Sequence, residues 1–193
     1  ELRILGIGNV AVSRDSRSKG YMIELMNDSI EIMKNEDYDY SLLGGQRQRY
    51  EYFGYVPAGS AINFTINKGN ISRIRNGNTE TDFTYEILEE NNTDAIAKVK
   101  ALYDKMPFRA ERKEEEMVDI LCSWGCKPYV VYCGGEFKGY FVMKKSYLAE
   151  VKAVNTEDLL DIFLCIMKAS ENESVSFTAP VYDTETCDFM TKN

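Results

Sequence analysis

No histidine occurs among the 193 residues of this chain. That excludes the Ser-His-Asp and Cys-His nucleophile systems and every zinc site that uses imidazole. Also missing is any apolar run near the roughly 18 residues that cross a bilayer, and no charged-then-apolar leader opens the sequence. The expectation is a protein that neither spans a membrane nor is secreted. Positive charge is short as well: 23 Lys and Arg stand against 31 Asp and Glu, a net charge of −8. Such a surface repels nucleic-acid phosphate and attracts cations. The five cysteines contain no tight CxxC pair. Cys122, Cys126 and Cys133 are spaced too loosely for a usual zinc site, and Cys165 and Cys187 are isolated. An odd count without a leader predicts reduced thiols in a cytoplasmic protein, with no metal.

What is present is ordinary for a soluble protein: 44% hydrophobic and 28% charged residues, enough for a real core in one domain or two small ones. The chain opens on Glu1 and Leu2 without a methionine, so a fragment of a longer protein is expected. Residues 2–12 (LRILGIGNVAV) read as a buried strand. After the basic turn SRDSRSKG, Met22, Leu25, Met26, Ile30 and Met33 recur at steps of three and four on one helix face. Residues 37–43 read as a second strand ended by Gly44 and Gly45. A short helical segment, QRQRYEYF, is closed by Gly54, and residues 61–66 form another strand. The polar stretch 67–82 reads as a linker, or a hairpin and linker, which puts a domain boundary near residue 78. Beyond it the order is strand (YEIL), helix (93–104) and helix (113–124). Two strands follow (128–133 and 137–143), joined by the hairpin signal Gly134-Gly135. Then come a strand (147–154), a helix (157–168) and a strand (175–179).

One turn carries chemistry. Arg17-Ser18-Lys19-Gly20-Tyr21-Met22 opens the first helix directly after a strand. Unpaired amides at a helix start, at the positive end of the helix dipole, attract phosphate. Gly20 lets a pyrophosphate approach the backbone, and Arg17 and Lys19 add charge at the rim. Taken alone, the same residues also suit an ordinary strand-to-helix turn with solvated basic side chains. Twenty-seven residues after Met22, the stretch from Arg49 to Tyr55 contains a Y-x-x-x-G-aromatic segment, Tyr50 to Tyr55.

The order of strand, R-x-x-G turn, helix, strand, short helix and Y-x-x-x-G-aromatic resembles the second half of the GNAT acyltransferase fold, over roughly residues 3–66. In that superfamily the R/Q-x-x-G-x-G/A turn binds the pyrophosphate of acetyl-CoA. Met22 departs from the common Gly or Ala. That departure, and the stretch GGQRQRYEYFGYVPAG, resemble the tandem-GNAT branch that includes the enhanced-intracellular-survival aminoglycoside acetyltransferases. The resemblance implies that Arg17, Ser18, Lys19, Gly20, Tyr21 and Met22 hold the pyrophosphate. It implies that Val10, Ala11 and Val12 offer main-chain groups to the pantetheine arm like a short added strand. It also implies that Tyr50 protonates the departing thiolate, for which a phenol of pKa about 10 is a reasonable acid. Position in the motif separates Tyr50 from twelve other tyrosines that are otherwise packing aromatics. No general base is assigned. The implied fold is α/β (mixed α+β): a GNAT-like central sheet flanked by helices, in two GNAT-like units divided as 1–78 and 79–193, the first lacking its N-terminal half.

The second half resembles a GNAT domain from its beginning, with GGEFKGYFVM as the central hairpin. Where its phosphate turn should stand, residues 151–159 hold no glycine, and Glu157 and Asp158 bring negative charge. Thr156 reads as an N-cap there. This unit is expected not to bind CoA and to shape a substrate pocket instead. The acidic runs Glu111–Glu116 and Glu171–Glu173 read first as solvated faces; in the tandem branch such residues line a pocket for polycationic amines. A half domain exposes apolar sheet. Either the parent chain is longer, or the halves complete each other within the chain or by exchange in a homo-oligomer. The function implied is acetyl-CoA-dependent N-acetyl transfer to an amine, a small molecule or a polycation. The alternative is a non-catalytic GNAT-like scaffold, or an inactive fragment of a longer acetyltransferase.

Overall fold

The computed structural model describes residues 2–192. The chain divides into two compact units, Glu1–Gly59 and Ser60–Asn193. The division lies at residue 59, not near residue 78. Its cause is the pairing of Ala61–Asn67 with Ser174–Pro180, in register from Ala61↔Pro180 to Asn67↔Ser174, which ties residues 61–67 to the second unit.

The first unit is a strand–helix–strand. Strand β1 (Ile4–Ile7), helix α1 (Tyr21–Asn35) and strand β2 (Tyr40–Leu43) are followed by one turn of helix, α2 (Arg47–Tyr50), and a 3-10 turn, Glu51–Phe53. β1 and β2 are parallel, with Leu5 beside Ser41 and Ile7 beside Leu43. β1 is four residues long, not eleven: Asn9 turns into the left-handed region at φ 53° and ends it. β2 likewise starts at Tyr40. Arg3 fixes the start of the pair, its amide donating to Asp39 (2.8 Å) and its guanidinium to the Glu36 carbonyl (2.7 Å) while stacking over Tyr38.

α1 has the expected boundaries and face. Met26 is buried and Met22, Ile30 and Met33 are half-buried, whereas Leu25 is 62% exposed. Alternation splits the strands in the same way. Leu5, Ile7, Ser41 and Leu43 are half-buried, while Ile4, Tyr40 and Leu42 lie open. A crossover helix covers one face of its strand pair, so the second face of this pair stands bare.

The second unit has a larger core. β3 (Ala61–Asn67) leads into α3 (Lys68–Ile74), and then come β4 (Thr84–Ile87), α4 (Thr93–Tyr103) and α5 (Met117–Leu121). β5 (Lys127–Cys133), β6 (Glu136–Lys144), β7 (Tyr147–Ala153), α6 (Leu159–Ser170), β8 (Ser174–Pro180) and α7 (Thr184–Lys192) follow. Strands β4-β5-β6-β7 form an antiparallel sheet in that order, and β3 with β8 an antiparallel pair. β6 shows why this sheet has helices on both faces. Its Phe141 and Met143 belong to a core with Ile162 and Phe163 of α6 and with Phe177 of β8. Its Tyr140 and Val142 belong to another with Val99 of α4 and Met117 of α5. Period-two alternation of apolar residues with no polar face is the mark of a strand buried on both sides.

Three segments differ from the sequence reading. Residues 67–82 are not a linker throughout: Asn67 and Asn70 form a reciprocal capping box that starts α3, and Ile71 is fully buried. The helix expected over 113–124 is broken into a 3-10 turn (Glu114–Glu116), α5 and a second turn (Ser123–Gly125) in which Trp124 has φ 61°. α7 was not foreseen; the Asp183 carboxylate accepts the Thr186 amide at its start (3.2 Å). The Gly134-Gly135 hairpin is as read, with positive φ at both glycines (57° and 82°), as a two-residue type I′ turn requires.

Gly139 in β6 tests this packing. A Cβ there would stand 2.2 Å from the Lys152 carbonyl oxygen and 2.9 Å from Ile162 Cδ1. Backbone and a buried side chain cannot both give way, so Gly139→Ala is expected to cost about 3 kcal/mol or more. The check is the urea midpoint of the variant; an unchanged midpoint disproves the close approach.

Candidate active site

Because β1 and β2 are parallel and in register, residues 8–20 and 44–46 leave the same end of the pair. In open α/β sheets ligands bind at that carboxyl end. Residues 8–20 run irregularly from Asn9 through a 3-10 turn, Arg14–Ser16, to Ser18 (φ 63°) and Gly20 (φ 85°). Gly20 is the N-cap of α1. Its carbonyl accepts the amides of Ile23 (2.8 Å) and Glu24 (3.2 Å), and no side chain caps the helix. Among the described residues, the amides of Ser18, Lys19, Gly20, Tyr21 and Met22 meet no protein acceptor. A Cβ on Gly20 would find nothing within 4 Å. Arg17, Ser18 and Lys19 are exposed around this opening, Tyr21 is exposed beside it, and Met22 turns partly inward. The arrangement suits an anion: free amides, the positive helix end and two cations, with no side chain in the way.

Val10, Ala11 and Val12 lie on the same loop, Val10 and Val12 half-buried and Ala11 exposed. They are irregular backbone, not the end of the strand, because β1 stops at Ile7. Among the described residues their amides and carbonyls enter no ladder.

Tyr50 ends α2 and is half-buried. The ring lies against Gly45, just beyond the end of β2: a Cβ on Gly45 would be 3.1 Å from Tyr50 Cε2 and 3.8 Å from its hydroxyl oxygen. Gly45 has φ 135°, so its lack of a side chain serves both backbone and ring. Among the described residues no protein group pairs with the Tyr50 hydroxyl. Gly54 (φ 84°) closes the turn, and the Tyr55 amide donates to the Tyr50 carbonyl (3.3 Å). Tyr55 packs its ring at 68° to that of Tyr50, centroids 6.4 Å apart. Its hydroxyl meets Ser41 Oγ at 2.7 Å. Arg47 pairs with Glu51, and Arg49 is exposed. The sequence singles out Tyr50 but not Gly45, Ser41 and Tyr55, which stand around it. Gly45 was legible only as a strand stop, and nothing in a lone serine of a strand marks a partner fourteen residues on.

In the second unit, residues 152–158 are built otherwise. Thr156 does not cap a helix; its hydroxyl donates to Glu185 at the start of α7 (2.5 Å). Asn155 precedes the turn and donates to Asp158 (3.2 Å). Lys152 of β7 pairs with Asp183 at 3.1 Å. Burial pushes the Asp183 carboxyl up, but Lys152 and Thr186 outweigh it and hold the group below the usual carboxylate range. Asp183, just before α7, and Glu185, in its first turn, thus tie α7 to β7 and to the turn at Thr156. Beside it, β7, β8 and residues 102–112 surround a cleft of about 1030 Å³. On one wall Arg112 makes a two-pronged pair with Glu150 (3.2 and 3.0 Å), to which Tyr140 also donates. Burial, then the Glu150 charge, drives the Tyr140 phenol far above its ordinary range. Glu111 and Glu114 to Glu116 are exposed, and so are Glu171 and Glu173.

No protein-family profile matches this sequence, and no curated protein matches it. Solved structures do. A GCN5-related N-acetyltransferase from Anabaena variabilis superposes with a TM-score of 0.65 at 17% identity, over 95% of this chain and 50% of that one. A probable N-acyltransferase from Enterococcus faecalis gives 0.65 at 16%, over 92% and 47%. A GCN5-related N-acetyltransferase from Kribbella flavida gives 0.62 at 14%, over 91% and 45%. The chain has the GCN5-related N-acetyltransferase fold. It spans about half the length of each of these structures. In the GCN5-related fold of this chain, the glycine-capped start of α1 and the tip of Tyr50 share one end of one strand pair. Among the described residues no helix is long and apolar enough to cross a membrane.

Proposed function

We propose that the first unit carries the acetyl-CoA site of an N-acetyltransferase that acts on an amine. The observation that supports this reading most is the pairing of two features at the carboxyl end of β1 and β2. One is a helix start with free amides and a bare Gly20; the other is a phenol resting on Gly45. The pyrophosphate sits on residues 17–22, and the pantetheine arm runs past Val10, Ala11 and Val12. The amine attacks the thioester carbonyl directly: a C–N bond forms, the C–S bond breaks, the Tyr50 hydroxyl gives its proton to the leaving sulfur, and the proton lost by the nitrogen passes to solvent, from which the Tyr50 phenolate is reprotonated.

The second unit is a degenerate counterpart that does not take CoA. Glu157, Asp158 and the pinned α7 support that reading. The acceptor is a small or polycationic amine, in keeping with the net charge of −8 and the exposed glutamates. The finer placement, beside the enhanced-intracellular-survival aminoglycoside acetyltransferases, rests on Met22 and the GGQRQRYEYFGYVPAG stretch. The unpaired cysteines suit a cytoplasmic setting.

One observation favours a second reading. Ile4, Tyr40 and Leu42 are 46%, 60% and 60% exposed on one sheet face, as in a unit short of its other half, which would leave a non-catalytic scaffold or an inactive piece. Calorimetric titration with acetyl-CoA separates the two. A Kd of roughly micromolar order supports the enzyme; no heat, from this chain and from a longer form alike, favours the scaffold.

A further inference from the structure

We infer that Ser41, Tyr55 and Gly45 form a seat for the Tyr50 ring, with Tyr55 as a positioning residue for the proposed acid. The inference rests on the proposed role of Tyr50, but its geometry does not. Ser41 has one hydroxyl proton and gives it to the Leu5 carbonyl at 3.1 Å. At 2.7 Å from Tyr55 its oxygen must therefore accept, and the Tyr55 phenol donates. That bond ties the far end of Tyr55 to the middle of β2, and through Leu5 to β1. The near end is tied as well, since the Tyr55 amide donates to the Tyr50 carbonyl at 3.3 Å.

A ring held at both ends is a fixed wall. Tyr50 meets it edge-on at 6.4 Å between centroids, within the range in which such pairs attract. Gly45 also borders the ring, leaving room that a Cβ would reduce to 3.1 Å from Tyr50 Cε2. Held by both, the phenol keeps its hydroxyl close to Gly45, two residues past the end of β2, the same end from which the α1 start opens. The strand pair that orients the phosphate cradle thus also orients the phenol. A leaving thiolate needs a donor placed to well within an ångström, because small displacements cost rate steeply.

The test uses Ser41→Ala and Tyr55→Phe, which keep both rings, with Gly45→Ala as a third variant. Tyrosine carrying 13C in the ring reports on Tyr50 directly, its signals assigned by their loss in Tyr50→Phe. Ser41→Ala does not touch Tyr50, so displacement of the Tyr50 signals beyond their linewidth is expected only if the seat transmits the change. In release of CoA thiol from acetyl-CoA with spermine as acceptor, Tyr55→Phe and Ser41→Ala are expected to lower kcat about tenfold with KM for acetyl-CoA unchanged. In a Tyr50→Phe background they should lower it no further. Tyr50 signals that stay put in folded Ser41→Ala overturn the seat, whatever the activity. Signals that move in a protein without thiol release keep the seat and remove the acetyltransferase reading.

Discussion

Gly20→Glu is expected to weaken acetyl-CoA binding about a hundredfold or more while leaving the protein folded. Two effects add. At φ 85° a residue with a Cβ carries a strain of about 1 kcal/mol. A carboxylate close to a pyrophosphate then repels it by about 1 kcal/mol per charge pair even at the dielectric of water, and by more beside a protein surface. The fold is spared because the new Cβ meets no protein atom within 4 Å. Gly20→Ala carries the strain without the charge and is expected to lose about tenfold or less. Arg17→Ala removes one exposed cation and should cost a similar factor, shrinking as salt rises. Calorimetry at two salt concentrations, with thermal melts of each variant, reads all three. If Gly20→Glu binds like the parent, the cofactor does not sit at the start of α1, and the proposed function loses its main support.

How much of this was legible in the sequence depended on the range of the interactions that decide each element. α1 was read to its observed limits because fifteen residues of helical periodicity average out local accidents. The Gly134-Gly135 hairpin was equally plain, since its turn chemistry is local. β3 was found as a strand but put in the wrong unit, because its partner β8 lies more than a hundred residues away and no local pattern names a partner. The boundary moved to residue 59 for the same reason. α3 was hidden by polarity: a capping box of two asparagines reads as loop, and only the buried Ile71 and half-buried Ile74 showed a helix face. α7 did leave a signal, the Asp183-x-x-Thr186 cap right after Pro180, beside apolar residues too few to form a visible stripe.

The site divides in the same way. Free amides at a glycine-capped helix start follow from a short stretch of chain, so the geometry of residues 17–22 was legible as a helix opening. The extent of Val10 to Val12 could not, because a single left-handed asparagine ended the strand early. The seat of Tyr50 combines residues 41, 45 and 55 through a side-chain bond and a ring contact. Such contacts depend on how the short helix folds back on the strand, which no spacing rule encodes.

Tyr50→Phe carries the largest expected effect on rate. Loss of a positioned acid typically costs between about a hundredfold and ten-thousandfold in the step it serves. Here the reaction also draws on proximity and orientation of the two substrates, which the substitution leaves alone. The lower part of that range is therefore expected: kcat for thiol release down about a hundredfold, with acetyl-CoA binding within about twofold of the parent. Stability should hardly change. No protein group among the described residues pairs with the Tyr50 hydroxyl, so its removal breaks no internal hydrogen bond, and the ring still fills the space over Gly45. Turnover then separates an acid from a packing aromatic: both roles predict an unchanged melting temperature, a packing role predicts turnover retained, and an acid predicts turnover lost. Acceptors of lower amine pKa and acyl donors with better leaving thiols sharpen the comparison. A thiol that leaves readily needs little protonation, so the deficit of Tyr50→Phe should narrow as the leaving group improves. A deficit that stays constant across leaving groups would place the phenol outside the proton transfer and return Tyr50 to the ordinary aromatic packing of the first unit.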